Sequence, residues 1–201
     1  PPMGRTWVKL ATPATAGSNE VVLAEDPGGW KAGDRIVLTA SYKTEFLPAG
    51  RPDVGSEERV IASIAGTKIR LDQPLAGDHI ASGAQVTEAA NLSRNVIIES
   101  ADPEGISGHT MYRRNSSGGI SYAEFRGLGK ERRLGKYPIH FHLVRDSMRG
   151  SAVIGASIWN SRNRFIAIHG TDYLLVRDCV GFRSLGHGFF LEDATEQYNI
   201  L

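Results

Sequence analysis

The segment YPIHFHL, residues 137–143, places two histidines two positions apart within an otherwise apolar run. Side chains of a β-strand alternate between its two faces, so His140 and His142 share the face opposite Ile139 and Phe141. Histidine titrates near neutral pH, and its neutral ring binds divalent metals. The pair is therefore a candidate for sugar contact or acid–base catalysis, for metal binding, or for a structural polar ladder.

Two later segments align with this one. Residues 123–143, 156–170 and 178–193 each contain a β-like piece, a polar or glycine-rich bend and a second β-like piece. The equivalent apolar positions are Phe125, Ile158 and Val180, then Ile139, Ile166 and Phe189, then Phe141, Ile168 and Leu191. They recur every 22 to 33 residues, a spacing typical of the coils of a parallel β-solenoid, whose apolar faces are buried only by stacking.

The stacked coils predict two outward columns of side chains. With the aligned apolar residues and Leu143 in the core, strands about 4.8 Å apart bring outward positions into register. One column contains His142, His169 and Glu192, and the other contains His140, Ala167 and Phe190. The first column supplies candidate catalytic groups, and its three members are also candidate ligands for a divalent metal ion.

A glycosidase needs two carboxylates that flank one bond. Asp193 directly follows Glu192, so on a strand the two side chains point to opposite sides. A second catalytic carboxylate must then come from another strand. Glu124, which alternates outward from Phe125, is our principal candidate, with Asp146 and Glu196 as further ones.

Basic residues near the histidine strand are candidates for binding an acidic polymer. Residues 126–136 contain five basic residues and one acid. We expect Arg132, Arg133 and Arg164 to bind carboxylates, since guanidinium groups bind them in a bidentate manner. His187, at the bend before the third aligned strand, and His140 are further candidate substrate contacts. The alternatives are a solvated loop and a turn histidine.

Composition excludes several classes of protein. The chain has 201 residues, 41% hydrophobic and 22% charged, with a net charge of +1. Nucleic-acid binders usually have a strong basic excess, so we expect no nucleic-acid partner. No apolar run approaches the roughly 20 residues that span a bilayer, so we expect no membrane insertion by this segment. Cys179 is the only cysteine, which rules out an internal disulfide.

Short β-rich runs dominate the chain, and no long helical periodicity is present, which predicts an all-β fold. We expect a β-rich subdomain over residues 1–90, with antiparallel strands joined by tight turns. Residues 91–201 are expected to form the coils of a parallel β-helix. The final residues, EQYNIL, contain no polar cap, so further coils are expected beyond them.

The runs GKYPIHFHL, SIWNSRNRFIAIHGT and GHGFFLEDATEQYNI resemble the β-helix region of a family of large surface and secreted proteins. This family includes the cell migration-inducing hyaluronan-binding protein, transmembrane protein 2 and the fibrocystin-like proteins. Residues 7–41 and the run NLSRNVII resemble the segment after their G8 domain. Relatives tend to have glycine where this chain has residues 144–146 and Ala194.

The resemblance implies a right-handed parallel β-helix, an extracellular or cell-surface setting and an acidic, hyaluronan-like polysaccharide as substrate. The resulting hypothesis is a hydrolase in which Glu192 or Glu124 protonates the glycosidic oxygen. His142 and His169 would position the sugar or hold a divalent metal ion. A glycan-binding module without catalysis and a polysaccharide lyase are the alternatives.

Overall fold

The computed structural model describes residues 2–41, 55–83 and 85–201. The chain divides into two compact units, Pro1–Ser93 and Arg94–Leu201. Strands dominate both units, and the only helix in the described ranges is a short 3-10 helix, Asp146–Met148. No helix in these ranges has the length and apolar character needed to cross a bilayer.

The first unit is an antiparallel sheet, as the turn-rich sequence predicted. Six strands pair in the order β1-β6-β3-β4-β5-β2. They are β1 (Trp7–Lys9), β2 (Glu20–Val22), β3 (Arg35–Leu38), β4 (Glu57–Ala65), β5 (Lys68–Leu71) and β6 (Glu88–Asn91). All strand pairs in this unit are antiparallel. Alternate residues, such as Ile69 and Leu71 on β5, point into one apolar core.

The second unit is a parallel β-helix built from three sheets, which confirms the predicted fold. The first sheet has the order β16-β13-β10-β7, with β7 (Val96–Glu99), β10 (Ala123–Arg126), β13 (Ser157–Ser161) and β16 (Val180–Ser184). The second has the order β17-β14-β11-β8, with β8 (Thr110–Tyr112), β11 (Ile139–Arg145), β14 (Ile166–Thr171) and β17 (Phe189–Leu191). The third contains β9 (Ile120–Ser121), β12 (Ala152–Ile154) and β15 (Leu175–Arg177).

The second sheet has the register that the repeat predicted. Ile139 pairs with Ile166, which pairs with Phe189, and the same holds along the Phe141 row. The first sheet differs from the prediction at β16, where Gly181, rather than Val180, is opposite Ile158. Gly181 has no side chain, and a Cβ at this position would lie only 2.4 Å from the Phe165 ring.

Three residues predicted for the core are exposed. Leu143 is 38% exposed, and Val144 is the buried residue instead. The pairing of β11 with β14 shifts register after His142, and this bulge rotates the next side chains. Phe189 and Leu191 have the predicted register but are 44% and 39% exposed. They lie on β17, the outermost strand of its sheet.

Two residues predicted to replace glycines, Arg145 and Ala194, have a left-handed backbone. Arg145 has a φ of 59°, and Ala194 has a φ of 56°. Both values lie in the left-handed region, where a Cβ costs roughly 1–2 kcal/mol. Glycine would avoid this cost, whereas this chain places side chains at both positions.

Candidate functional site

His140 lies on the face predicted from strand alternation, but it is buried, at 1% exposure. Residues before β11 cover it: the Tyr137 ring lies 4.8 Å away, and the Gly135 carbonyl is 2.9 Å from Nδ1. Since a carbonyl only accepts, Nδ1 carries the proton and Nε2 presents a lone pair. Burial lowers the pKa of His140 to about 4, so the ring is neutral at neutral pH.

His142 and His169 meet side by side on β11 and β14, as the register predicted. Their Nδ1 atoms are 3.0 Å apart, so one of them must present a lone pair to the other. Burial, followed by the positive charge that His169 and Arg113 can carry, lowers the pKa of His142. His142 therefore favours neutral imidazole, the form that accepts protons and binds metals.

Both Glu192 and Asp193 lie beside the His169 ring, whereas strand alternation predicted that their side chains point to opposite sides; β17 ends at Leu191, so alternation does not extend to this pair. Asp193 Oδ2 is 3.0 Å from Nε2, and Glu192 Oε2 is 4.0 Å from Nδ1. Glu196 Oε1 accepts hydrogen bonds from the backbone N–H groups of Gly170 and Asp193. Glu196 thus joins the end of β14 to the segment that carries Asp193 and serves as a positioning residue.

Arg164 reaches this cluster, as predicted. Its Nη1 atom is 3.1 Å from Glu192 Oε2, although the angle does not meet hydrogen-bond geometry. The guanidinium carbon is 3.8 Å from the Phe190 ring centroid and 4.6 Å from that of Tyr137. His187 is exposed, and its ring centroid lies 5.0 Å from that of Phe190, at the edge of the cluster.

Unsatisfied polar atoms concentrate here. Among the described residues, six buried side-chain atoms lack a hydrogen-bond partner, and three of them are His140 Nε2, Arg164 Nη1 and Glu192 Oε2. His140 Nε2 and Glu192 Oε2 are 3.9 Å apart. Buried polar atoms in folded proteins are nearly always satisfied, so this convergence marks the cluster as a candidate site.

Several predicted residues are not brought to this cluster. Glu124 is on β10, in the first sheet, where it accepts hydrogen bonds from the Arg94 backbone and the Trp159 indole. It is 3% exposed, so it is a buried structural acid. The side chains of Arg132 and Arg133 are exposed, and the only ion pair of Arg132 in the described structure is with neighbouring Glu131.

A basic cleft that was not predicted from the sequence lies beside His142. The cleft has a volume of about 260 Å³ and is lined by Arg113, Arg114, His142, Leu143 and Arg145. None of the three arginines has an ion-pair partner within the described ranges. The sequence signal for this cleft was the Arg-Arg pair directly after the segment HTMY. Using that signal required the knowledge that β8 pairs with β11.

Comparisons with known proteins agree with this architecture. Residues 105–201 match the family described as the CEMIP beta-helix. The human cell surface hyaluronidase CEMIP2 is 32% identical over 209 residues, which cover 89% of this chain and 14% of that protein. A G8 domain-containing protein of Dictyostelium discoideum is 30% identical, with 98% of this chain and 13% of that protein covered.

More distant similarities are also present. Human fibrocystin-L is 30% identical over 255 residues, which cover all of this chain and 6% of that protein. The tailspike gp61 of Pseudomonas phage phi297 matches with a TM-score of 0.37 and 10% identity, covering 92% of this chain and 46% of that structure. The chain spans only 13–14% of the length of the first relatives described above.

Fold and site together define a parallel β-helix that carries a histidine–carboxylate–arginine cluster on one sheet. The chain belongs to the family of the CEMIP β-helix. Its relatives include a G8-domain protein and fibrocystin-L.

Proposed function

We propose that this chain is the glycan-engaging β-helix of a cell-surface or secreted protein that depolymerises an acidic, hyaluronan-like polysaccharide. The observation that carries the proposal is the position of His142, which belongs both to the histidine cluster and to the wall of the arginine cleft. The relationship to a human protein named a cell surface hyaluronidase supports the same substrate class and setting.

The cleft has the chemistry to bind uronate groups. Arg113, Arg114 and Arg145 all line one cavity. Guanidinium binds carboxylates through two parallel hydrogen bonds, and an arginine without an intramolecular partner retains this capacity. These residues therefore replace Arg132 and Arg133 as the principal candidates for substrate binding.

The cluster has the chemistry to act on the bound sugar. Hydrolysis requires proton transfer at the glycosidic oxygen and activation of a water molecule. His142 is half-buried, faces the cleft and favours its neutral form, so it can accept a proton or hold a metal ion. Glu192 Oε2 is fully buried beside His140 and Arg164, so in this proposal Glu192 positions the cluster.

The same arrangement supports a second candidate, a uronate lyase. In that reaction a base removes the C5 proton, the C4–O bond breaks, and the leaving oxygen gains a proton. A neutral imidazole in a cleft lined by three arginines suits this reaction, because the cations neutralise the carboxylate and make the C5 proton more acidic.

Incubation of the purified chain with long hyaluronan, followed by size-exclusion chromatography, tests the proposal. We expect progressively shorter products, and a rate at least about 100-fold lower for His142→Ala, since an acid–base group contributes roughly 10²–10⁴-fold. His109→Ala is the matched control, because His109 has no hydrogen bond or ring contact with the cluster in the described structure.

The products distinguish the lyase reaction from hydrolysis. Ultraviolet absorbance from a new C4–C5 double bond would identify a lyase, and its absence from shortened chains would identify a hydrolase. Bound but intact hyaluronan would overturn depolymerisation and assign a binding module. Full activity of folded His142→Ala would remove the histidine cluster from the mechanism.

A further inference from the structure

We infer that His140, His142 and His169 form a binding site for one divalent transition-metal ion, with Glu192 as an additional ligand. One potential ligand nitrogen from each histidine lies within 4.8 Å of those of the other two. Metal binding goes beyond the proposed glycan cleavage, and it is tested without any glycan.

The distances match a metal site after small side-chain rotations. Zinc–nitrogen bonds of about 2.0–2.1 Å in a tetrahedral site place ligand nitrogens roughly 3.3 Å apart. The Nδ1 atoms of His142 and His169 are 3.0 Å apart, and Glu192 Oε2 is 3.9 Å from His140 Nε2 and 4.0 Å from His169 Nδ1. A bound ion would shorten the two distances to Glu192 Oε2 and lengthen the distance between the two Nδ1 atoms.

Outer contacts orient two of the three rings as metal ligands. His140 donates Nδ1–H to the Gly135 carbonyl, which leaves Nε2 with a lone pair. His169 places Nε2 against Asp193 Oδ2 at 3.0 Å, so its Nδ1 is directed toward His142. Metal-ligating histidines almost always donate their second N–H to a carbonyl or carboxylate in this way.

The lone pair of His140 is the second, independent sign of a ligand. This side chain is 1% exposed, and its Nε2 has no hydrogen-bond partner. The nearest carboxylate oxygen, Glu192 Oε2, also makes no hydrogen bond, although Arg164 Nη1 lies 3.1 Å away, and two acceptors cannot bond each other. A cation between them would satisfy both atoms.

The donor set selects the class of metal. Imidazole nitrogens suit Zn²⁺, Co²⁺, Ni²⁺ and Cu²⁺, whereas Ca²⁺ and Mg²⁺ prefer shells of oxygen ligands. Three imidazoles with one carboxylate are typical of zinc or cobalt coordination. The ion would lie next to the arginine cleft, because His142 lines both.

Titration of the purified, chelator-treated chain with Co²⁺ tests the inference, with absorbance in the visible region as the readout. We expect one equivalent of Co²⁺ to give the intense bands of tetrahedral cobalt, and one equivalent of Zn²⁺ to remove them. His142→Ala and His169→Ala should each abolish the bands. Asp193→Asn should weaken binding about 10–100-fold, as expected for an outer partner of a ligating histidine.

His109→Ala controls for non-specific histidine binding and should titrate like the unmodified chain. His142 and His169 are half-buried, and circular dichroism will verify that the variants fold. Absence of stoichiometric binding by the unmodified chain, or unchanged binding by folded His142→Ala, would overturn the site. Because no glycan is present, loss of metal binding and failure of the proposed cleavage are separate results.

Discussion

Each of the two units buries one histidine beside a glutamate, and the two pairs differ in how completely they are bonded. In the first unit, His79 Nε2 is 3.1 Å from Glu57 Oε1, and Nδ1 is 3.1 Å from the Thr39 carbonyl. In the second, His140 Nε2 is 3.9 Å from Glu192 Oε2 and has no hydrogen bond. Both histidines are 1% exposed.

The carboxylates repeat the contrast. Glu57 accepts hydrogen bonds from the backbone N–H groups of Ala76 and Gly77, and it also pairs with Arg59. Glu192 also has an arginine beside it, Arg164 at 3.1 Å, but its Oε2 atom makes no hydrogen bond. A satisfied buried pair stabilises the fold, whereas an unsatisfied one costs stability and is retained where it binds something. Burial of a histidine beside a carboxylate thus does not by itself identify a functional site.

The largest expected effect is the difference in stability between two variants in which a buried histidine is replaced with leucine. His79→Leu leaves Glu57 and Thr39 without their partner, so we expect a loss of about 3–5 kcal/mol in the free energy of unfolding. His140→Leu removes one hydrogen bond and an unsatisfied nitrogen, so we expect a loss of about 1 kcal/mol. Urea unfolding followed by fluorescence measures both.

Equal losses for the two variants would break the comparison, because they would show that bonding at the His140 site matters as much as at the His79 site. The unfolding is measured in the presence of a chelator, so that bound metal does not stabilise one unit alone.

A smaller effect is expected on hyaluronan binding, and it should distinguish arginines that stabilise the fold from arginines that bind the glycan. Arg59 donates to the Pro74 carbonyl and pairs with Glu57, whereas Arg113 and Arg145 line the cleft without an ion pair in the described structure. We expect the double variant Arg113→Ala, Arg145→Ala to weaken hyaluronan binding roughly 10–100-fold, with unchanged stability. Isothermal titration at low and high salt measures the affinity.

The double variant Arg132→Ala, Arg133→Ala provides the matched control for charge and exposure. It should change the affinity less than about twofold, since Arg132 is 91% exposed in its side chain and belongs to no cleft in the described residues. A larger loss for this control than for the cleft variant would return the binding role to the loop over residues 126–136.

The smallest expected effect is a pH dependence of the stability of the first unit. Burial alone would raise the pKa of Glu57, but hydrogen bonds from Ala76, Gly77 and His79 and the charge of Arg59 outweigh it and hold the pKa below 4.5. A lowered pKa in the folded state contributes stability that is present above about pH 4.5 and lost as pH falls through the folded pKa. Urea unfolding from about pH 7 to about pH 3 should show this loss.

Glu57→Gln should flatten this part of the stability profile, because glutamine does not titrate. Glu25→Gln is the control, since Glu25 lies in an exposed ion pair with Arg5. An unchanged acid slope in Glu57→Gln would show that Glu57 is not the group whose protonation unfolds the unit.

The sequence was sufficient to predict the β-helix and most of one sheet. Strand alternation and coil length are local properties, so the register of Ile139, Ile166 and Phe189 could be predicted from spacing alone. The errors occurred where tertiary packing overrides alternation. The bulge after His142 exposes Leu143, and the Phe165 ring requires glycine at position 181.

The sequence by itself determined which residue types share a face: the columns of His142 with His169 and of His140 with Ala167 follow from the period of two along each strand. Only the tertiary structure decided that His140 is buried, that Glu124 lies on another sheet and that three arginines line a cleft together with His142. These outcomes depend on where bends and loops of successive coils lie, and that depends on contacts between residues distant in sequence.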